Sequence, residues 1–378
     1  MSNVKDLLKQ FDTIVSNPKA RLDKYISEGK KVIGCMPVYC PEELVYAADM
    51  VPFGVWGSEI EVSQAKKYFP AFICSILQTT LEMGLRGDLD QLSGMMIPVL
   101  CDSLKCMGQN WDQGIENVEF IPVIHPQNRK MEAGVEFLRA QYTKIKDKLE
   151  QISGNKITDD KLKTAINVYN KHREVMREFV VIAGEHPHLI TPSERNAVIK
   201  SGYFMDKPAH TKIVQELIDA CKEHPKEEWD GLKVVITGII ADSPSILKIF
   251  EENKIAIVAD DIAHESRQFR TNVPICEDPM ESLAKQISVM EGCSVLYDPD
   301  KKRGHMIVDE VKKYNADGVI VLMTKFCDPE EYDYPIMKKL FDQNEIPSIM
   351  IEIDQQMRNY EQARTMVQTF TDMLGAYC

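Results

Sequence analysis

The chain has 378 residues, 44% of them hydrophobic and 27% charged, with a formal net charge of −13. That is material for two or three cores at roughly 100–200 residues each, and the scattered Lys and Arg leave no basic face of the kind nucleic-acid binding needs. The longest apolar runs, such as GVIVLM, are too short to span a bilayer, and the amphipathic start MSNVKDLLKQFDTIV lacks the apolar stretch and small-residue cleavage site of a signal peptide, so the expectation is a cytoplasmic protein that contacts neither membrane nor nucleic acid.

Residues 1–127 alternate. KKVIG leads into the helix PEELVYAADM, and VPFGVW precedes a helix from Phe72 to about Leu85. MMIPVL precedes a helix from Ser103 to Trp111, and VEFIPVI closes the set. This is the rhythm of a parallel sheet with helices on both faces. Between 128 and 229 strand-like runs vanish. Leu162, Ile166, Tyr169, Met176, Val180 and Ala183 recur at helical spacing and predict one long amphipathic helix. Asp159 and Asp160 favour its N-terminus, and Pro187, Pro192, Pro208 and Pro225 punctuate further helices. From 230 to 378 the alternation returns. KVVITG, IAIVAD, GVIVLM and PSIMIEI read as strands; SPSILKIFEEN, MESLAKQISVM, MIVDEVKKYN, YPIMKKLFDQN and a stretch from Arg358 read as helices. The expected fold is α/β: two doubly wound, flavodoxin- or Rossmann-like parallel-sheet lobes (1–127 and 230–378) joined by a helical segment (128–229).

Ten cysteines in a cytosolic chain are expected to be reduced thiols. Cys35, Cys101 and Cys327 each follow a strand-like run, where open α/β sheets bind their ligands, and Cys74 opens an apolar helix. Thiols drawn from distant parts of the chain fit an iron–sulfur cluster held between lobes; they equally fit packed core thiols. A helix N-terminus is expected to lower the Cys101 pKa. The C-x4-C spacing of Cys101 and Cys106 is not that of a zinc ribbon. Cys221, Cys293 and Cys378 read as packing or incidental thiols. VADDIAHESRQFR crowds Asp260, Asp261, His264, Glu265, Arg267 and Arg270 into one strand-to-helix loop. Its functional reading is an ion-pair network gripping an acyl-CoA, a partner or the opposite lobe, with Asp261, Glu265, Arg267 and Arg270 as the candidate contacts; its structural reading is a solvated, capped helix start. IEIDQQMRN ends a strand with Glu352 and Asp354. No dinucleotide fingerprint, P-loop, nucleophile elbow or H-E-x-x-H motif occurs.

The stretches PVYCPEELVYAADMVPFGVWG, YFPAFICS, PVLCDSLKCMGQNW, HPQNRK, TGIIADS, VADDIAHESRQFR, MTKFCDPEEYDYP and IEIDQQ span both halves. In them the chain resembles the smaller (β) subunit of the 2-hydroxyacyl-CoA dehydratases, a family that also holds benzoyl-CoA reductase subunits. The resemblance implies a [4Fe–4S] cluster on three cysteines, which carry over as Cys74, Cys101 and Cys327, with Cys106 in reserve. It also implies a heterodimer with a larger homologous α subunit that binds most of the acyl-CoA. A separate ATP-driven iron–sulfur activator would supply one strongly reducing electron. That electron would make a ketyl at the thioester carbonyl, expel the neighbouring hydroxyl and then return. This chain would be the relay subunit. The resemblance admits a bound flavin, which no residue here reads out. It leaves as alternatives a benzoyl-CoA-reductase-type subunit and a non-catalytic thiolate metal-binding protein.

Overall fold

Eight short, mostly apolar runs make two all-parallel sheets in the computed structural model, which describes residues 2–375. The first sheet holds β1 (Val32–Cys35), β2 (Val51–Gly54), β3 (Gly94–Val99) and β4 (Phe120–Ile124) in the order β2-β1-β3-β4. The second holds β5 (Leu232–Gly238), β6 (Ile255–Ile262), β7 (Gly318–Thr324) and β8 (Ser348–Ile353) in the order β6-β5-β7-β8. The second order is the first shifted by four strands, so the lobes repeat one topology without a visible sequence repeat. β7 is buried at every position. A strand covered on both faces carries no polar alternation, which is why GVIVLM reads as an unbroken apolar run.

α1 (Ser2–Ser16) and α2 (Pro18–Ser27) precede β1, and α3 (Glu42–Ala47), α4 (Ser75–Leu85) and α5 (Asp102–Gly114) connect the first sheet. α6 (Glu132–Ser153), α7 (Asp159–Glu185), α8 (Pro192–Ser201) and α9 (Lys207–Lys222) follow without a strand. α10 (Pro244–Glu252), α11 (Ser266–Phe269), α12 (Pro279–Val289), α13 (Lys302–Tyr314), α14 (Asp328–Gln343) and α15 (Glu361–Gly375) complete the chain. Thr158 caps α7 by accepting from the Lys161 N–H at 3.3 Å, with Asp159 and Asp160 in the first turn. Thr191 and Glu194 form a reciprocal capping box on α8.

Some boundaries differ from the sequence reading, each for a local reason. α4 starts at Ser75 rather than Phe72, because Cys74 is extended at φ −61° and ψ 144° and acts as the cap. The last helix begins at Glu361 rather than Arg358, where Asn359 Oδ1 accepts from the Glu361 N–H at 2.9 Å. α1 leaves its sequence neighbours. Its Val4, Leu7, Leu8 and Phe11 share one core with Phe179, Val198 and Leu217 of α7, α8 and α9. Burying Phe11 completely stabilises this docking by about 2 kcal/mol. α12 in turn packs on α6, so the second half covers part of the first lobe. Among the described residues, no helix is long and apolar enough to cross a membrane.

Candidate functional site

Three cysteines stand at helix N-caps: Cys74 on α4, Cys101 on α5 and Cys327 on α14. The first turn of a helix has free N–H groups aimed at its cap. Cys101 Sγ accepts from the Leu104 N–H at 3.4 Å. Cys327 is presented by a tight turn in which Phe326 takes φ 61°, a left-handed backbone that a bulky residue adopts at a cost of about 1–3 kcal/mol. α4 and α5 come from the first half and α14 from the second, so the three thiols lie where the lobes meet.

Burial is the largest influence on each thiol. It pushes Cys74 up to about 12, against the backbone N–H groups of Leu77 and Ile76, with the Cys101 thiol adding to the rise. It raises Cys101 despite the amides of Leu104 and Ser103. The expectation that the helix N-terminus lowers the Cys101 pKa is therefore reversed, because desolvation outweighs two backbone hydrogen bonds. Burial also raises Cys327, followed by the Glu330 carboxylate and the Cys74 and Cys101 thiols. These cross-influences place the three thiols near one another. Among the described residues, no three His, Cys, Asp or Glu side chains converge as ligands of a single ion. A polynuclear cluster asks for something else, one thiolate per iron at separate corners, and three neighbouring, half-buried thiols suit that donor set in kind.

The neighbouring motifs brace this trio. Gln355 of IEIDQQ reaches from the second lobe onto α4. Its backbone N–H donates to Ser75 Oγ at 3.1 Å, its Nε2 to Trp56 O at 3.1 Å, and its Oε1 accepts from Thr79 at 2.6 Å. Gly57, at φ 80°, permits the approach, since a Cβ there would stand 2.0 Å from Thr79 Oγ1. Asp242 of TGIIADS accepts from Trp56 Nε1 at 2.9 Å and Lys200 Nζ at 3.1 Å. The contacts from this segment onto α4 and Trp56 are made by Gln355, not by the acids Glu352 and Asp354 that the sequence analysis names.

The acid–arginine loop is a buried ion-pair network rather than a solvated helix start. Asp261 binds Arg267 at 2.8 Å, Arg303 at 2.7 Å and Arg270 at 2.9 Å, while Glu330 binds Arg303 at 2.7 Å and Arg267 at 3.3 Å. The side chains of Arg267 and Glu330 are both 0% exposed. Burial pushes the Asp261 and Glu330 carboxyls up, but the arginines outweigh it and hold both below the ordinary range. Glu265 pairs with Arg195 of α8 at 2.5 Å; burial and Asp260 hold its carboxyl above the ordinary value. Only Arg270 keeps appreciable exposure, 21%. As Glu330 lies three residues after Cys327, the network fixes the helix start that presents that thiol.

Among the described residues, the other cysteines, Cys276 included, cap no helix N-terminus. Cys35 packs into the core at the end of β1 rather than lining a crevice. Cys40 donates to Met36 O at 3.1 Å. Cys106 is exposed on α5, while Cys221 and Cys293 are buried. Cys378 lies outside the described residues.

Residues 37–374 match the family described as 2-hydroxyglutaryl-CoA dehydratase, D-component. The chain is 58% identical to the (R)-phenyllactyl-CoA dehydratase beta subunit of Clostridium sporogenes, over 99% of this chain and 100% of that one. It is 44% identical to the lactoyl-CoA dehydratase subunit beta of Anaerotignum propionicum, over 99% and 100% of the two chains. A benzoyl-CoA reductase subunit from Thauera aromatica is 27% identical over 94% of each chain. The chain belongs to the 2-hydroxyglutaryl-CoA dehydratase D-component family.

Proposed function

We propose that this chain is the β subunit of a two-subunit, oxygen-sensitive hydro-lyase of the cytoplasm that converts a 2-hydroxyacyl-CoA to an enoyl-CoA. The observation that carries this reading is the set of three neighbouring thiols at helix N-caps, in a chain that aligns end to end with dehydratase β subunits. Cys74, Cys101 and Cys327 would hold a [4Fe–4S] cluster, which when bound supplies single low-potential electrons. The protein's own part is to deliver and brace the ligands. Burial keeps the free thiols protonated, so loading releases protons. The N–H groups of α4, α5 and α14 then stabilise the negative charge left on sulfur. Gln355 and the Asp261–Glu330 network hold the two sides of the site in register.

The substrate belongs mainly to a larger homologous subunit, and the electron comes from an ATP-driven activator. In support, this chain carries no P-loop. Phe72 and Tyr332, close in sequence to Cys74 and Cys327, are 73% and 79% exposed; aromatic side chains are enriched where subunits meet.

Anaerobic reconstitution tests the reading. The chain alone is expected to be inactive. Chain, larger subunit, activator, ATP and a strong reductant together are expected to dehydrate a 2-hydroxyacyl-CoA while consuming far less reductant than the product formed. Turnover by the chain alone without ATP would refute the relay role. One reductant consumed per product would favour the benzoyl-CoA-reductase-type alternative, to which the 27% relative points.

A further inference from the structure

A cavity of about 440 Å3 lies between the lobes and is lined by none of the three thiols. It sits outside the carboxyl ends of strands from both sheets: Phe53 and Gly54 of β2, Thr324 of β7 and Ile353 of β8 line it. That is where parallel α/β sheets bind ligands, and the volume falls within the roughly 300–1,000 Å3 of small-molecule sites. Leu22, Trp56, Ile76, Leu89, Phe204 and Ile240 give it apolar walls.

Its polar groups are specific. Thr324 is 2% exposed and its Oγ1 has no hydrogen-bond partner. A buried hydroxyl in that state is costly, and an acceptor placed against it recovers the cost. Ser75 also lines the cavity; its Oγ accepts from the Gln355 N–H at 3.1 Å, which leaves its own proton to donate. Two hydroxyl donors suit one oxygen with two lone pairs. The charged lining is Lys19, Glu59, Asp88, Lys200, Asp242 and Asp354. Lys200 is paired with Asp242 at 3.1 Å, so carboxylates outnumber the cations that remain, and an anion is disfavoured. Glu59, accepting from Ser243 at 3.2 Å and Tyr360 at 3.4 Å, ties the rim across the lobes.

We infer that this cavity is a second binding site, for a small neutral molecule with an apolar body and one carbonyl oxygen directed at Thr324 and Ser75. A whole acyl-CoA does not suit it, because the nucleotide end is polyanionic. The inference does not rest on the cluster reading.

The test is calorimetric titration of the two-subunit complex, purified without air, with 3-phenylpropanamide; 3-phenylpropanoate and 3-phenylpropylamine are the charged controls. The amide is expected to bind saturably, 3-phenylpropanoate at least tenfold more weakly, and 3-phenylpropylamine, which the carboxylates of the lining do not repel, no more tightly than the amide. Thr324→Val, which removes only the hydroxyl, should weaken the amide by about three- to tenfold. Ile240→Trp should fill the cavity and remove one site per complex. Iron content, read in parallel, reports folding and the cluster separately. Absence of amide binding, equal binding of 3-phenylpropanoate, an unchanged affinity in Thr324→Val, or an unchanged site count in Ile240→Trp would overturn the inference.

Discussion

Cys74, Cys101 and Cys327 show how opposing effects on a single residue are decided by magnitude. Each gains backbone N–H groups from a helix start, yet burial wins and the thiols stay neutral. Thiols in that state are poor nucleophiles, and uptake of iron is expected to release about three protons, which titration calorimetry in two buffers would count. The buried histidines obey the same rule with the opposite charge. Burial lowers His125 and His264 to about 4 and His210 to about 3. Unfolded, each would titrate near 6.5. Their folded pKa values are depressed, so the unfolded chain binds more protons below 6.5. Stability is therefore complete above about pH 6.5 and falls as the pH drops toward 4. In His210→Gln the slope of unfolding free energy between pH 6.5 and 5 should lessen by about one proton, roughly 1.4 kcal/mol per pH unit. An unchanged slope would mean that His210, 3.0 Å from His172, already carries charge in the folded state. Position along the chain made four cysteines legible, Cys35, Cys101 and Cys327 after strands and Cys74 opening a helix, and the family resemblance chose Cys74, Cys101 and Cys327 from them. The sign of the Cys101 shift was not legible, because desolvation depends on what the fold stacks around the sulfur.

At the scale of elements, α14 is fixed by charge buried beneath its first turn. Arg303 binds Asp261, Glu330 and Asp333, and its side chain is 3% exposed. Arg303→Met would leave those carboxylates short of a cation, at a cost of about 3–5 kcal/mol and with loss of iron from the Cys327 side. Exposed Arg364, paired with Glu252, is the control, and Arg364→Met should cost little. Denaturant unfolding of the two variants checks this; equal midpoints would contradict the bracing role. The sequence exposed the cluster of charges in VADDIAHESRQFR but not its direction, because Glu330 and Arg303 arrive from other segments. Gln355 was hidden for the same reason. Its partner Thr79 is 276 positions away, and an amide after a strand reads only as loop polarity. The β-strands were easier, since burial on both faces writes itself into an apolar run. α2 went unread: Asn17 and Pro18, which start it, also fit a loop.

Across the whole molecule, two lobes of one strand order meet where α4, α5 and α14 begin, and helices exchanged between halves lock that meeting in place. α1 docks on α7, α8 and α9, and α12 on α6. On the proposed cluster reading, this arrangement would make lobe contact and cluster retention interdependent. Gly57→Ala, which would press a methyl onto Thr79, should therefore lose iron and lower the thermal midpoint together; loss of one without the other would separate them. The central claim is that the three capping thiols hold a cluster. It is tested most directly by iron and acid-labile sulfide analysis of the anaerobically purified chain beside its Cys74→Ala, Cys101→Ala, Cys327→Ala, Cys106→Ala and Cys221→Ala variants. The account predicts about four iron and four sulfide per chain, a sharp loss in each of the first three variants, and full content in the last two. Stoichiometric zinc without sulfide, or full iron in Cys101→Ala with loss in Cys106→Ala, would contradict it.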